Sequence, residues 1–408
     1  MSHHHGGSSS SEPLGKSARN RIHNITGEQV QRLLLKLDAI SPHLPFLSSL
    51  PMQELTSPRD YMPGEVAPGG NGGEASSKNA GMGRHVHQES SILGHLRRIG
   101  TFVDDDDEEL LPCRHQCRQT AVEFGAGTGR LSERLQRCVK QGMKHILIDR
   151  QEFAPNQCRD GAMRNRAGDI AGSSVERITG DIADFKLGQY CSYIDIGDNG
   201  DKNSRSSLCK CFCMSKHLCG PACDLAIASL GGKDVPICDR PPFAFATCCH
   251  YLCTWESFAG KEYWLRLGLS EEDFEVAVAV SQWYSLRGGK KKRNLQEKEV
   301  VTTCNDMYNN SSCSVGETIT QKDLMSMIDG AGEAVRCLNG DALCPSMPSE
   351  EFERSFTRDE KAKLGGVVKR LLDLSRIARL QELGYEAELV LYTTRSIENR
   401  LLVGSIDG

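Results

Sequence analysis

A chain of 408 residues, 38% hydrophobic and 25% charged, has the composition of a globular protein built on one large core or two smaller ones. No run reaches the roughly 18 consecutive apolar residues a membrane helix needs, and the 18 cysteines sit in apolar segments rather than at the spacings of a stapled secreted domain; these features exclude a helical membrane protein and predict a soluble one with reduced thiols, cytoplasmic or nuclear. The formal net charge of −5 is set by "DDDDEE" (104–109), without which the balance is about +1, neither for nor against a polyanionic partner.

Residues 1–18, with a short His run and a Gly/Ser spacer, read as a tag and linker outside the fold. A helical segment is expected within 19–60, where Thr26 can cap "TGEQVQRLLLKLDAI" and Val30, Leu33, Leu34 and Leu37 recur at helical spacing. Residues 61–117, rich in Gly, Ser, Asn and Pro over their first half, read as a flexible connector. From 118 to 408 the pattern is α/β. "TAVEF" (120–124), "HILID" (145–149), "ERITGDI" (176–182), "CFCMSKHL" (211–218) and "PFAFATCC" (242–249) predict strands, with helices between them such as 131–139 and 221–230. Alternation at this spacing predicts a mostly parallel sheet covered on both faces. Insertions are expected near 197–208 and 287–317, then a long basic helix over 357–383 and two final strands, "EAELVLYTT" and "NRLLVGS".

In an open parallel sheet, ligands lie beyond the C-terminal strand ends. After the first strand comes "EFGAGTG": Glu123, Gly125, Ala126, Gly127 and Gly129. The dinucleotide fingerprint is G-x-G-x-x-G, and here the third glycine comes one residue early. That turn suits an amino-acid moiety and a ribose better than a pyrophosphate, which makes S-adenosylmethionine the expected cofactor. Asp149, followed by Arg150, ends the second strand, where a carboxylate can accept two ribose hydroxyls. Asp181 follows the third, placed to hold the adenine amine while Ile182 packs on the ring.

The fourth strand ends "SKHLCG", placing Lys216 and His217 where an acceptor would lie. Alternation sends them to opposite faces, so one of the two faces the methyl group; a desolvated lysine or a neutral histidine could each serve as base. The fifth ends "ATCCHYLCTW". Cys248, Cys249, His250 and Cys253 invite a metal reading, but no second Cys/His pair stands at structural-zinc spacing, so no metal is assigned and the thiols read as packing under the site with His250 pointing into it. A cysteine nucleophile at Cys248 or Cys249 is the alternative; "CRHQC" (113–117) cannot complete four-coordinate zinc, and "DRPPF" (239–243) opens a strand instead of following one. Lysines of "GGKKKR" (288–293) and Lys361, Lys363, Lys369, Arg370, Arg376 and Arg379 of the late helix are candidate RNA contacts.

Taken together, "VEFGAGTGRLS", "SKHLCGPACDLAI", "ATCCHYLCTWESFAG", "GLSEEDFEVAVAVSQW", "GGVVKRLLDLSRIARLQELGYEAELV" and "IENRLL" resemble the eukaryotic tRNA ribose 2′-O-methyltransferase family that modifies nucleotide 4 of the acceptor stem, over roughly Thr120 to Val403. The resemblance implies a class I methyltransferase fold (Rossmann-like, seven strands), S-adenosylmethionine as donor and tRNA as acceptor, with Lys216, His217, Cys249 and His250 matching motif positions around the acceptor. Members carry small zinc fingers ahead of the catalytic domain; no cysteine precedes Cys113 here, so zinc is expected only in such fingers. The alternatives are a methyltransferase of the same fold acting on an RNA base or a protein side chain, and an RNA-binding module with a decayed cofactor site.

Overall fold

The computed structural model describes residues 25–47, 50–56, 80–101, 119–138, 142–170, 172–191, 211–287, 321–338 and 356–406. The insertions near 197–208 and 287–317, the acidic run, the "CRHQC" motif and the lysines of "GGKKKR" lie outside them.

At the centre stands a seven-stranded sheet of β1 (Gln119–Phe124), β2 (Met143–Asp149), β3 (Ser174–Thr179), β4 (Cys211–Cys219), β5 (Phe243–Cys248), β6 (Glu386–Leu391) and β7 (Arg400–Ser405), in the order β3-β2-β1-β4-β5-β7-β6. β1 to β5 pair in parallel. β7 runs antiparallel to both of its neighbours, β5 and β6. Only a few residues join β6 to β7, too few for a crossover, so the pair must be antiparallel. The architecture is thus mixed α/β, with one reversed strand among seven.

Alternation sorts the strand residues into two cores. Val122, Phe124, Cys213, Phe243 and Phe245 face one side, where they join α1 (Gly27–Ile40), α5 (Pro221–Leu230), α7 (Glu271–Val280), α8 (Gln321–Arg336) and α9 (Arg358–Glu382). Ala121, Phe212, Met214, Ala244 and Ala246 face the other, under α2 (Ala80–Arg98) and α3 (Arg130–Cys138). The other α-helices among the described residues are α4 (Asp160–Asp169) and α6 (Lys261–Arg266).

α1 begins at a capping box of Thr26 and Gln29 and is tied to α7 by Lys36, whose ammonium lies 2.6 Å from Asp273. Beyond it, the chain lies against the outer edge of β6: the Gln53 N–H donates to Leu391 O, and the Leu391 N–H to Pro51 O, each at 2.9 Å.

Two expectations are corrected. The 61–117 stretch is not connector throughout, because residues 80–98 form α2 and its second half is buried. Its buried residues include His87, Gln88, Glu89, Ser90 and Ser91, which carry no apolar period for sequence reasoning to find. Nor are all the cations of the late helix placed as candidate RNA contacts: Lys369 and Arg376 are both 1% exposed. Arg376 makes a two-pronged pair with Asp224 of α5, at 2.9 and 2.7 Å, and reaches Asp373 at 2.9 Å, while Lys369 bonds Glu398 at 2.5 Å. Arg370 donates to the carbonyl of Leu47. These cations hold the helix to its surroundings.

Candidate active site

The turn after β1 carries Gly125, Gly127 and Gly129, at φ +62°, +53° and +83°. A side chain at Gly125 would also come within 3.3 Å of the His217 carbonyl oxygen, so only glycine lets the turn lie against the end of β4. A Cβ at Gly127 would meet nothing within 4 Å. This is the open side of the turn.

Three groups fix it in place. Asp149, at the tip of β2, accepts the Gly127 N–H at 2.7 Å through one carboxylate oxygen and the Gln151 N–H at 2.8 Å through the other. Arg177, on β3, donates to the Gly127 carbonyl at 2.9 Å while its guanidinium grips both oxygens of Asp160, at 2.6 and 2.8 Å. Glu123 is 2% exposed and accepts from the backbone N–H and hydroxyl of Ser132, at 3.0 and 2.5 Å. Burial pushes its carboxyl up to about 7 against the pull of Ser132. Glu123 therefore anchors the first turn of α3 rather than lining the open side. Asp181 accepts the Ala183 N–H at 3.0 Å and caps the short turn Ile182–Asp184, in which Ile182 is buried; Ala126 is buried and Arg150 exposed.

β4 and β5 slip register between Ser215 and Leu218, since Ser215 pairs with Phe245 but Leu218 with Thr247. One extra residue on β4 makes a bulge at Lys216 and His217, a device that re-aims side chains at a strand end. Lys216 follows Phe212 and Met214 onto the α2 face, is buried, and bonds Glu89 of α2. Glu89 also receives Arg134 at 3.0 Å and has Arg130 at 3.6 Å. Burial opposes its ionisation, but Lys216 and the two arginines hold it below the ordinary glutamate value. Burial likewise pulls the Lys216 ammonium below the ordinary lysine value, with Glu89 opposing the fall. His217 is exposed, edge-on to His85 at 6.4 Å between ring centroids.

At the tip of β5, Cys249 is left-handed at φ +47°, the sole non-glycine residue with positive φ among the described residues. Its thiol joins those of Cys219 and Cys248, with all three sulfurs within 4.8 Å of one another. The histidine that follows does not point toward Lys216. His250 is 1% exposed, and its Nε2 lies 2.8 Å from Asp373 on α9, which also accepts from Thr247 at 3.1 Å. Burial keeps the His250 ring below its ordinary basicity, while His250 and Arg376 hold Asp373 well below the usual carboxylate range despite its burial. The expectation that His250 faces the acceptor is thereby corrected; it is part of the link between β5 and α9. Cys253 is also buried, 3.1 Å from an Arg376 nitrogen.

The structure thus brings together the glycine turn, Asp149, Lys216 and Cys249 with Cys219 at the strand tips. Sequence reasoning missed Glu89, Arg177, Asp160, Arg130 and Arg134. Arg177 sits inside "ERITG", where an inward charge in a predicted strand was the available signal; Glu89 had none without the sheet to place it. Strand order reverses between β1 and β4, and the glycine turn and Lys216 flank that switch point, where open α/β sheets bind their ligands.

An open-sheet α/β protein whose glycine turn and strand-end charges gather at the switch point is the class these features define. The chain belongs to the methyltransferase TRM13 family, whose sequence profile matches residues 87–325 and 340–405. It is 27% identical over 359 residues to the human "tRNA:m(4)X modification enzyme TRM13 homolog", covering 78% of this chain and 64% of that protein. The Schizosaccharomyces pombe "tRNA:m(4)X modification enzyme TRM13" is 23% identical over 327 residues, covering 78% and 67%. The Dictyostelium discoideum homolog is 26% identical over 210 residues, covering 50% and 34%. The chain spans just under two thirds of the length of the human and mouse relatives. No solved structure matches. Among the described residues, no helix is long and apolar enough to cross a membrane.

Proposed function

We propose that this chain transfers a methyl group from S-adenosylmethionine to a ribose 2′-hydroxyl of tRNA, at nucleotide 4 of the acceptor stem, on a class I methyltransferase fold. Family membership and the relatives' names, which call them tRNA:m(4)X modification enzymes, support the reaction class. The strand order with its one reversed strand supports the fold assignment. The observation that carries the reading is the pairing of a glycine turn, open at Gly127 and tethered by Asp149, with a buried lysine on the neighbouring side of the switch point.

The residues fit such a donor. Gly127 leaves room on the turn, and each Asp149 oxygen uses one lone pair on a backbone N–H, which leaves a second for a ribose hydroxyl. Asp181 and Ile182 would flank the adenine. When bound, the donor supplies an electrophilic methyl on a cationic sulfur. A ribose hydroxyl is a weak nucleophile until its proton is accepted, and a neutral Lys216 amine is the group that can accept it. Glu89 aims that amine and sets how readily it sheds its own proton, while Arg134 and Arg130 keep Glu89 charged.

The reaction is tested by incubating the chain with labelled S-adenosylmethionine and unmodified tRNA, then digesting the product: a labelled 2′-O-methylnucleoside mapped to position 4 supports it, and label in a base or in protein overturns it. Asp149→Ala is expected to weaken S-adenosylhomocysteine binding by about tenfold to a hundredfold, the loss of charge-assisted hydrogen bonds worth ~1.5–3 kcal/mol, with tRNA affinity kept; calorimetry reads both. Glu89→Gln removes the charge that raises the Lys216 pKa, so the amine loses its proton at lower pH. The rise of turnover with pH is expected to move toward acid in this variant, and a pH–rate profile that stays put or moves toward base argues against Lys216 as acceptor of the proton.

A further inference from the structure

Cys219 ends β4 and Cys248 ends β5; they are register partners on adjacent strands, with sulfurs 3.1 Å apart. Cys249 follows at once, and its left-handed backbone, a conformation side chains rarely adopt, keeps its thiol with the other two instead of letting it follow the strand's alternation. Three thiolates around one zinc at about 2.3 Å stand roughly 3.8 Å from each other, and the sulfurs here lie within 4.8 Å of one another. Small side-chain rotations would make them a ligand set. We propose that Cys219, Cys248 and Cys249 form a binding site for a soft divalent cation, zinc in the first instance, with one coordination position left to solvent.

Thiolates select soft metals over magnesium or calcium, which fixes the class of cation. Cys219 and Cys249 are both partly exposed, so an ion has a path in and an open fourth position, the pattern of reactive zinc sites as opposed to closed structural ones. Three thiolates on a divalent ion leave one net negative charge. Lys369, whose ammonium bonds Glu398 at 2.5 Å and lies over Tyr284 at 4.9 Å, stands close enough for its charge to act on Cys249. His250, adjacent in sequence, is committed to Asp373 and is not a fourth ligand. Spacing along the chain could not reveal this set, since Cys219 lies 29 residues before Cys248 and meets it only through strand pairing. The site does not depend on the methyl-transfer reading.

The test uses the full chain, reduced and stripped of metal, titrated with cadmium and followed by the thiolate-to-cadmium charge-transfer absorbance, which the imidazoles of His3, His4 and His5 do not give. One equivalent is expected to bind, to be displaced by zinc, and to be lost in Cys219→Ser and in Cys249→Ser but kept in Cys337→Ser, an exposed thiol elsewhere. A titration unchanged in the triple serine variant overturns the proposal. Because a serine variant could fail to fold, the wild-type chain is also alkylated with and without zinc and its peptides mapped. Protection of Cys219, Cys248 and Cys249, with Cys337 unprotected, supports the site. Equal labelling in both conditions, or a Cys219–Cys248 disulfide in place of metal uptake, overturns it.

Discussion

Lys216→Ala is expected to lower turnover by about 10²–10⁴-fold, the usual contribution of a positioned base, while affinity for S-adenosylhomocysteine stays as it was. The two readouts separate because Lys216 stands on β4, whereas the groups proposed to hold the cofactor stand at the tips of β1, β2 and β3. Removing the ammonium also leaves Glu89 with Arg134 and Arg130 as partners, so the buried carboxylate is not stranded and the variant should fold. Lys216→Arg is expected to be nearly as slow, because a guanidinium keeps its proton. Single-turnover kinetics with saturating tRNA measure this directly. Unchanged turnover in Lys216→Ala would move the role to His217, the other residue of the bulge.

The largest expected loss of stability belongs to Arg376→Ala. Arg376 is 1% exposed and joins Asp224 of α5 to Asp373 of α9, while Asp373 in turn holds His250 and Thr247 at the end of β5. Deleting one member of a buried ion pair strands the remaining charge and costs about 3–5 kcal/mol, against about 0–1 kcal/mol for an exposed pair such as Arg336 with Glu333. Urea denaturation, compared with Arg336→Ala, checks the difference. A loss below about 1 kcal/mol would mean that Asp224 and Asp373 find other partners.

How much of this was legible beforehand depended on where the determining contacts lie. Strands such as 145–149 and helices such as 221–230 announce themselves because their apolar spacing is local, and the structure places them at Met143–Asp149 and Pro221–Leu230. The glycine turn with Asp149 was equally readable, as both follow strands whose order is simple to infer. α2 was not, because its buried face includes His87, Gln88, Glu89, Ser90 and Ser91, residues that a helix buries only when the other side supplies partners. The basic late helix misled for the converse reason: Lys369 and Arg376 look solvent-bound until Glu398 and Asp224 are brought to them from 29 and 152 residues away. His250 was misdirected by the same kind of distant partner, Asp373.

The lateral contact between Pro51–Gln53 and Leu391 has a bearing on how the protein is handled. β6 is the outermost strand on its side, and an outermost strand with open hydrogen-bonding groups is a template onto which another molecule can add. The segment ahead of residue 54 acts as a selvage at one end of that border, where it occupies both backbone groups of Leu391. A version trimmed back to the start of α2 would keep every catalytic candidate named here, yet it would strip α1 from the core and open the β6 border at Leu391, so its failure would be one of folding and association and not of chemistry.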